Sequence, residues 1–222
     1  MIRHSFFAVF PMLLILSCGR HDAEQAVIRP SEVTDFRLLY AQNCSGCHGA
    51  NGQGALSVAI GKPVYLAIAD DPTIRRVIEE GTAGTAMPAF SQRAGGFLTD
   101  IQIDILVRGV RAWSQPGSLI NDGPPTYATS LAGDTARGQD VFAGNCSSCH
   151  GADRHGARSI ADPSYLALVT DQHLRTVTIV GMLNLGMPDW RGHATPLSDA
   201  DVTDVVAWLA MYRSPLSANL NH

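Results

Sequence analysis

Cys44-Ser45-Gly46-Cys47-His48-Gly49-Ala50 returns 102 residues later as Cys146-Ser147-Ser148-Cys149-His150-Gly151-Ala152. Outward from these blocks the match continues. Pro63-Val64-Tyr65-Leu66-Ala67 pairs with Pro163-Ser164-Tyr165-Leu166-Ala167, Gly81 with Gly181, and Met87-Pro88 with Met187-Pro188, all at an offset of 100. Leu98-Thr99-Asp100 pairs with Leu197-Ser198-Asp199 at 99. An offset that drifts so little marks two copies of one fold that differ by a few loop deletions. The expected domains are residues 34–114 and 132–214. The turn-rich stretch 115–131, with Pro116-Gly117 and Asn121-Asp122-Gly123-Pro124-Pro125, reads as a linker, and 215–222 as a tail.

Both copies spell the same helices. A short one leads into the first cysteine, Asp35 to Gln42 in one copy and Thr135 to Gly144 in the other. A middle helix starts at Asp71-Pro72, with Asp71 as the expected N-cap and proline in the first turn, and stops at Gly81. Its twin runs from Asp171 to Gly181. A final helix begins after Thr99 or Ser198, and in the second copy Val202, Val205, Val206 and Leu209 form an apolar face at helical spacing. Neither copy sustains the alternation of a strand. The fold class is all-α.

Cys-x-x-Cys-His is the attachment signature of a c-type haem. Cysteines three apart on a helix share a face, so each can form a thioether to a porphyrin vinyl group while the adjacent histidine addresses the iron. Two readings compete. Structural zinc takes four ligands from two clusters brought together, and these clusters sit in separate copies. A thioredoxin-like dithiol needs a strand–helix context that is missing. The sequence therefore assigns two haem c groups, on Cys44 and Cys47 and on Cys146 and Cys149, with His48 and His150 as iron ligands. Domains of roughly 80 residues make thin cores. A buried haem would give Tyr40, Leu66, Ile74, Val77 and their counterparts a centre to pack around.

The opposite axial ligand is found by elimination. Met87 is the only methionine of the first copy, and His48 the only histidine between His21 and His150. The second copy offers Met182, Met187, Met211, His155, His173 and His193, but only Met187 has a repeat partner. Both Met87 and Met187 precede proline, which stiffens the loop that presents the sulfur. Histidine–methionine ligation raises the reduction potential relative to two histidines and closes the iron to substrates. That favours moving electrons over turning over a ligand.

Composition narrows the function further. Of 222 residues, 45% are hydrophobic and 16% charged, with 16 basic against 20 acidic side chains. Such a balance excludes a disordered acidic or basic protein and an electrostatic nucleic-acid binder. At the N-terminus a basic start, Met1-Ile2-Arg3-His4, precedes an apolar run from Phe6 to Leu16 that is too short for a permanent span. Ile15-Leu16-Ser17-Cys18 resembles the bacterial lipobox, in which the cysteine carries lipid. Residues 1–17 are thus expected to be a signal peptide, Cys18 a lipid attachment site, and 18–33 a flexible tether. The mature chain would keep 15 basic and 20 acidic residues, face the periplasm, and hold to a membrane by lipid.

These residues together resemble the bacterial class I cytochromes c, in tandem diheme form. In that family a glycine eight residues before the first cysteine, and an aromatic four before it, line the crossing of the first and last helices. The second copy has both, Gly138 and Phe142, with Trp208 as aromatic partner. The first copy departs: Phe36 stands where Gly138 does, Tyr40 keeps the aromatic place, and Gly109 matches Trp208. A size swap is expected, with the large residue moved to the first helix and the small one to the last. The resemblance implies electron transfer between redox partners or within a membrane respiratory or quinol-oxidising complex. Animal-type relatives dock through a ring of lysines; with Lys62 its only lysine, this chain is expected to dock by apolar contact or inside a stable complex. The alternative is a diheme enzyme, a peroxidase or sulfur-compound dehydrogenase, with a displaceable ligand in the second copy near His155, His173 or His193. A gas sensor would need an output domain, and none is left over.

Overall fold

The Asp35 carboxylate accepts the Leu38 amide at 2.7 Å and starts α1, Phe36–Asn43. At Cys44 the chain bends, then makes one more turn, α2, Ser45–His48. Proline at the first position opens α3, Pro63–Ile68. In α4, Asp71–Glu80, the cap is Asp70, whose carboxylate accepts the Thr73 amide at 2.9 Å. Thr99 and Gln102 cap each other's backbone at the start of α5, Asp100–Arg111. The second half repeats the series: α6, Thr135–Asn145; α7, Ser147–His150; α8, Pro163–Leu168; α9, Asp171–Val180; α10, Asp199–Ala210. This computed structural model describes residues 28–114, 123–151, 159–193 and 195–213. The signal peptide, Cys18, His155, the first half of the linker and the 215–222 tail lie outside the described residues.

Among the described residues there are helices, short 3-10 turns and isolated bridges, but no strand, so the all-α expectation holds. Two details are corrected. Asp70, not Asp71, caps α4, because Asp70 keeps the extended backbone of a cap while Asp71 is already helical; Thr170 caps α9 in the same way. Cys44 and Cys146 stand at the bend between two helices rather than inside one. The described part of the linker does not hang free: Arg175, 3% exposed, donates to Thr126 O at 2.9 Å, and Gln172 donates to Tyr127 O at 2.7 Å.

Each half is held by its first helix crossing its last. In the first, the Phe36, Tyr40 and Trp113 rings interlock, with Tyr40 and Trp113 edge to face at 4.9 Å. A Cβ added at Gly109 would lie 2.0 Å from the Phe36 ring. In the second, Phe142, Trp208 and Tyr212 form the cluster, and a Cβ on Gly138 would lie 2.1 Å from Asp204 O. The size swap read from the sequence is therefore present. Apolar side chains from every longer helix complete the cores, including Leu39, Ile74, Leu106, Leu166, Ile179 and Val205. Val77 is half-buried, and Ile78 takes the buried place next to it.

One arginine, missed by the sequence reading, closes each half. Arg111 donates to Leu66 O at 2.6 Å, Ala69 O at 2.5 Å and the Asp71 carboxylate at 2.6 Å. Arg213 does the same to Leu166 O, Val169 O and Asp171. Each guanidinium ties the end of the last helix to the α3–α4 or α8–α9 corner and satisfies carbonyls that the short helix leaves open.

Candidate functional site

Cys44, Cys47 and His48 share one turn because α1 ends at Asn43 and the chain re-enters helix a residue later. His48 is buried, 7% exposed, and its Nδ1 donates to Val58 O at 2.9 Å. A carbonyl can only accept, so that bond puts the ring proton on Nδ1 and leaves Nε2 as a free lone pair. Burial depresses the His48 pKa, partly offset by the Val58 bond. The ring is held neutral, the form that ligates a metal.

No disulfide joins Cys44, Cys47, Cys146 or Cys149. Burial first, then the neighbouring Cys47, pushes the Cys44 thiol up to about 12. Burial and Cys149 raise Cys146 to about 11. A redox-active dithiol depends on the opposite, a depressed pKa that yields thiolate. Among the described residues, no group of three or more His, Cys, Asp or Glu side chains converges as a metal site would need.

After each histidine the chain turns through a left-handed glycine, Gly49 at φ 78° and Gly151 at φ 84°. In the first half the loop folds back on its own turn. Gly54 N–H donates to His48 O at 2.8 Å, and Leu56 and Ser57 donate to Cys47 O at 3.0 and 3.1 Å. The Tyr40 hydroxyl donates to Gly49 O at 2.9 Å, tying α1 to the same loop. Phe142, its counterpart, lacks that hydroxyl.

The methionine loops are held from behind by glycine. A Cβ on Gly81 would lie 2.6 Å from Met87 O, and one on Gly181 2.6 Å from the Pro188 carbonyl. With φ of 73° and 72°, both positions suit only glycine. Thr82 N–H donates to Met87 O at 3.0 Å, and Thr85 Oγ1 accepts the Met87 amide at 3.1 Å. Met182 and Met187 exchange two backbone bonds, at 3.0 and 3.1 Å. Met87 packs against the same apolar core as Cys44. Met187 is half-buried, whereas Met211 is 57% exposed at the end of α10.

These residues suit a covalently held haem. In each half two cysteines and a histidine share one turn and a sulfur loop is pinned, and in the first half His48 keeps one ring nitrogen for a metal. A further sign is Trp190, three residues beyond Met187. It is 4% exposed, and its Nε1 is the one buried side-chain polar atom without a hydrogen-bond partner among the described residues. A buried N–H of that kind calls for an acceptor the chain itself does not supply.

Comparison with known proteins points the same way. The family model "Cytochrome C oxidase, cbb3-type, subunit III" matches residues 31–108 and again 133–209. The cbb3-type cytochrome c oxidase subunit CcoP of Azospirillum sp. (strain B510) is 32% identical over 132 residues, covering 54% of this chain and 40% of that one. The cytochrome bc1 complex cytochrome c subunit of Mycobacterium tuberculosis is 28% identical over 154 residues, 67% of this chain and 54% of that one. Cytochrome c6 of Synechocystis sp. is 33% identical over 88 residues, 36% of this chain and 68% of the relative. This chain thus spans about half the length of its larger relatives.

Proposed function

The chain belongs to the family of cbb3-type cytochrome c oxidase subunit III, a class I c-type cytochrome with two haem c groups, and from that premise we propose that it passes single electrons between redox partners in a respiratory chain. The observation that carries this reading is the pairing, in each half, of a Cys-x-x-Cys-His turn with a glycine-backed Met-Pro loop. Cys44 and Cys47, and Cys146 and Cys149, would hold the porphyrins. His48 with Met87, and His150 with Met187, would ligate the irons. The bound group supplies an iron that cycles between two oxidation states.

The protein's part is to keep that cycle cheap. Val58 fixes the His48 ring, so no tautomer change accompanies electron transfer. Gly81 and Gly181 hold the methionine loops from behind, which would keep each sulfur in place beside a bound haem. Histidine and methionine would together fill the iron's protein-facing positions and raise its potential. Export by residues 1–17 and lipid on Cys18 would confine the protein to a membrane surface. No helix among the described residues is long and apolar enough to cross a membrane.

Mass spectrometry of the exported protein should find two haem adducts and a lipidated Cys18 as residue one. A spectroscopic redox titration should resolve two centres, both with methionine sulfur bound when oxidised. One adduct, or rapid peroxide or thiosulfate turnover at one centre, overturns the carrier reading in favour of an enzyme.

A further inference from the structure

Gly84 and Asn184 are repeat partners, each lying between the glycine that stops a helix and the methionine that follows. Both touch the other half of the molecule. A Cβ on Gly84 would stand 3.0 Å from Leu168 O, at the end of α8. Asn184 Nδ2 donates to Ala55 O at 2.6 Å. The residue after Ala55 is Leu56, whose N–H donates to Cys47 O at 3.0 Å. Each half therefore lays its methionine loop on its neighbour. From Asn184 the contact continues through one peptide and a second hydrogen bond to a cysteine of the other half's Cys-x-x-Cys-His turn.

Elsewhere in the seam α3 packs against α9. Tyr127 lies between Arg76 of the first half and Thr176 of the second, and both interact with its hydroxyl. Around it an open cleft of about 710 Å3 runs between Leu66–Thr73, Arg111 and Thr126–Ala128. Leu56, Leu183 and Leu185 stay 80%, 56% and 56% exposed beside the Asn184 contact. Two domains of one chain move relative to each other by default unless particular contacts oppose it.

We propose that the two methionine loops are the docking elements that hold the halves in one arrangement, with Asn184 as the positioning residue. Gly84 lets its loop come close, since any side chain there would drive Leu168 away. Asn184 supplies the directional bond. What this docking does rests on the haem reading above. On that reading an electron given up by Fe(II) of one half, which becomes Fe(III), would reduce Fe(III) of the other half to Fe(II) across this seam, with no proton moving.

The test uses the full-length, haem-loaded protein with Asn184→Ala and Asn184→Asp. Asn184 is exposed, so both variants fold; haem count and sulfur ligation are checked first, and a deficit already present in the unsubstituted protein would indict the haem reading rather than the docking. Amide exchange at Leu56 and Ser57 should quicken on the order of five-fold, the bias one such bond provides. Exchange within α1 and α5 should not change. After photoreduction by one electron, equilibration between the two centres should slow by a similar factor while both midpoint potentials hold. A merely structural Asn184 would leave that rate alone. Wild-type exchange at Leu56 and Ser57, or a wild-type equilibration rate, overturns the proposal.

Discussion

The two helix crossings reach the same packing from opposite ends. In the first half the last helix carries the small residue, Gly109, and the first helix the large one, Phe36; in the second, Gly138 is on the first helix and Trp208 on the last. Three rings fill each crossing either way. The fold thus demands a total volume and one point of close approach, and is indifferent to which helix supplies which. A second contrast is less symmetrical. Arg75 lies near the surface, paired with Glu79 and Asp104, while its partner Arg175 is buried under the linker with Thr126, Thr203 and Asp199. The second half has laid a piece of linker over that arginine.

The largest expected effect tests the swap. Gly109→Trp drives an indole into the Phe36 ring and should cost more than about 3 kcal/mol in urea unfolding of the full chain. Adding Phe36→Gly should recover a large part of it, because the double variant adopts the second half's arrangement. No loss from the single substitution would break the volume argument.

Next in size is the arginine contrast. Arg175→Met leaves Asp199 and the Thr126 carbonyl without their partner and should cost about 3 kcal/mol, at the low end for a buried pair since Asp199 is partly exposed. Arg75→Met should cost less than about 1 kcal/mol, as for other half-exposed pairs. Equal losses in chemical denaturation would show that the buried linker contact adds nothing.

Acid should expose the same difference more gently. Burial opposes ionisation of Asp199, but bonds from Thr126 and the Arg175 guanidinium outweigh it and hold the carboxyl below its usual range. A depressed folded value means the contribution is complete above the unfolded value of about 3.9 and drains away as pH falls through the folded one. Asp199→Asn should therefore flatten the acid limb of the second half's stability below about pH 4, followed by circular dichroism. An unchanged acid limb contradicts this sign.

The smallest effect concerns Trp190, where the first half has Phe90. With haem bound, the Trp190 indole proton should exchange slowly and Trp190→Phe should shift only the second centre's potential. An indole proton that exchanges at the solvent rate would show that the N–H meets water instead.

Much of this was legible in the chain because it is local. The helices, their glycine stops, the Cys-x-x-Cys-His turns and the Met-Pro loops each lie within about a dozen residues. Even the Phe36–Gly109 swap could be read, because the repeat supplies an internal ruler. The ruler also misled. At the offset of 99 that fits the last helix, Arg111 falls on Ala210, so its equivalence with Arg213 stayed hidden. What could have revealed it is an arginine at the end of the last helix in both copies. The cap at Asp70 was misplaced by one residue because Asp70 and Asp71 are chemically alike, and only the backbone angle separates them.

The sequence by itself determined the helical class, the duplication and the chemistry each copy is equipped for. Those follow from short-range spacing and side-chain type, which do not change as the chain folds. Only the tertiary structure decided that Thr126 and Tyr127 join the second half, that His48 is fixed by Val58, and that Asn184 reaches Ala55. Each of these is a bond to a backbone carbonyl, a group every residue carries, so no residue type marks the acceptor until packing brings it within reach.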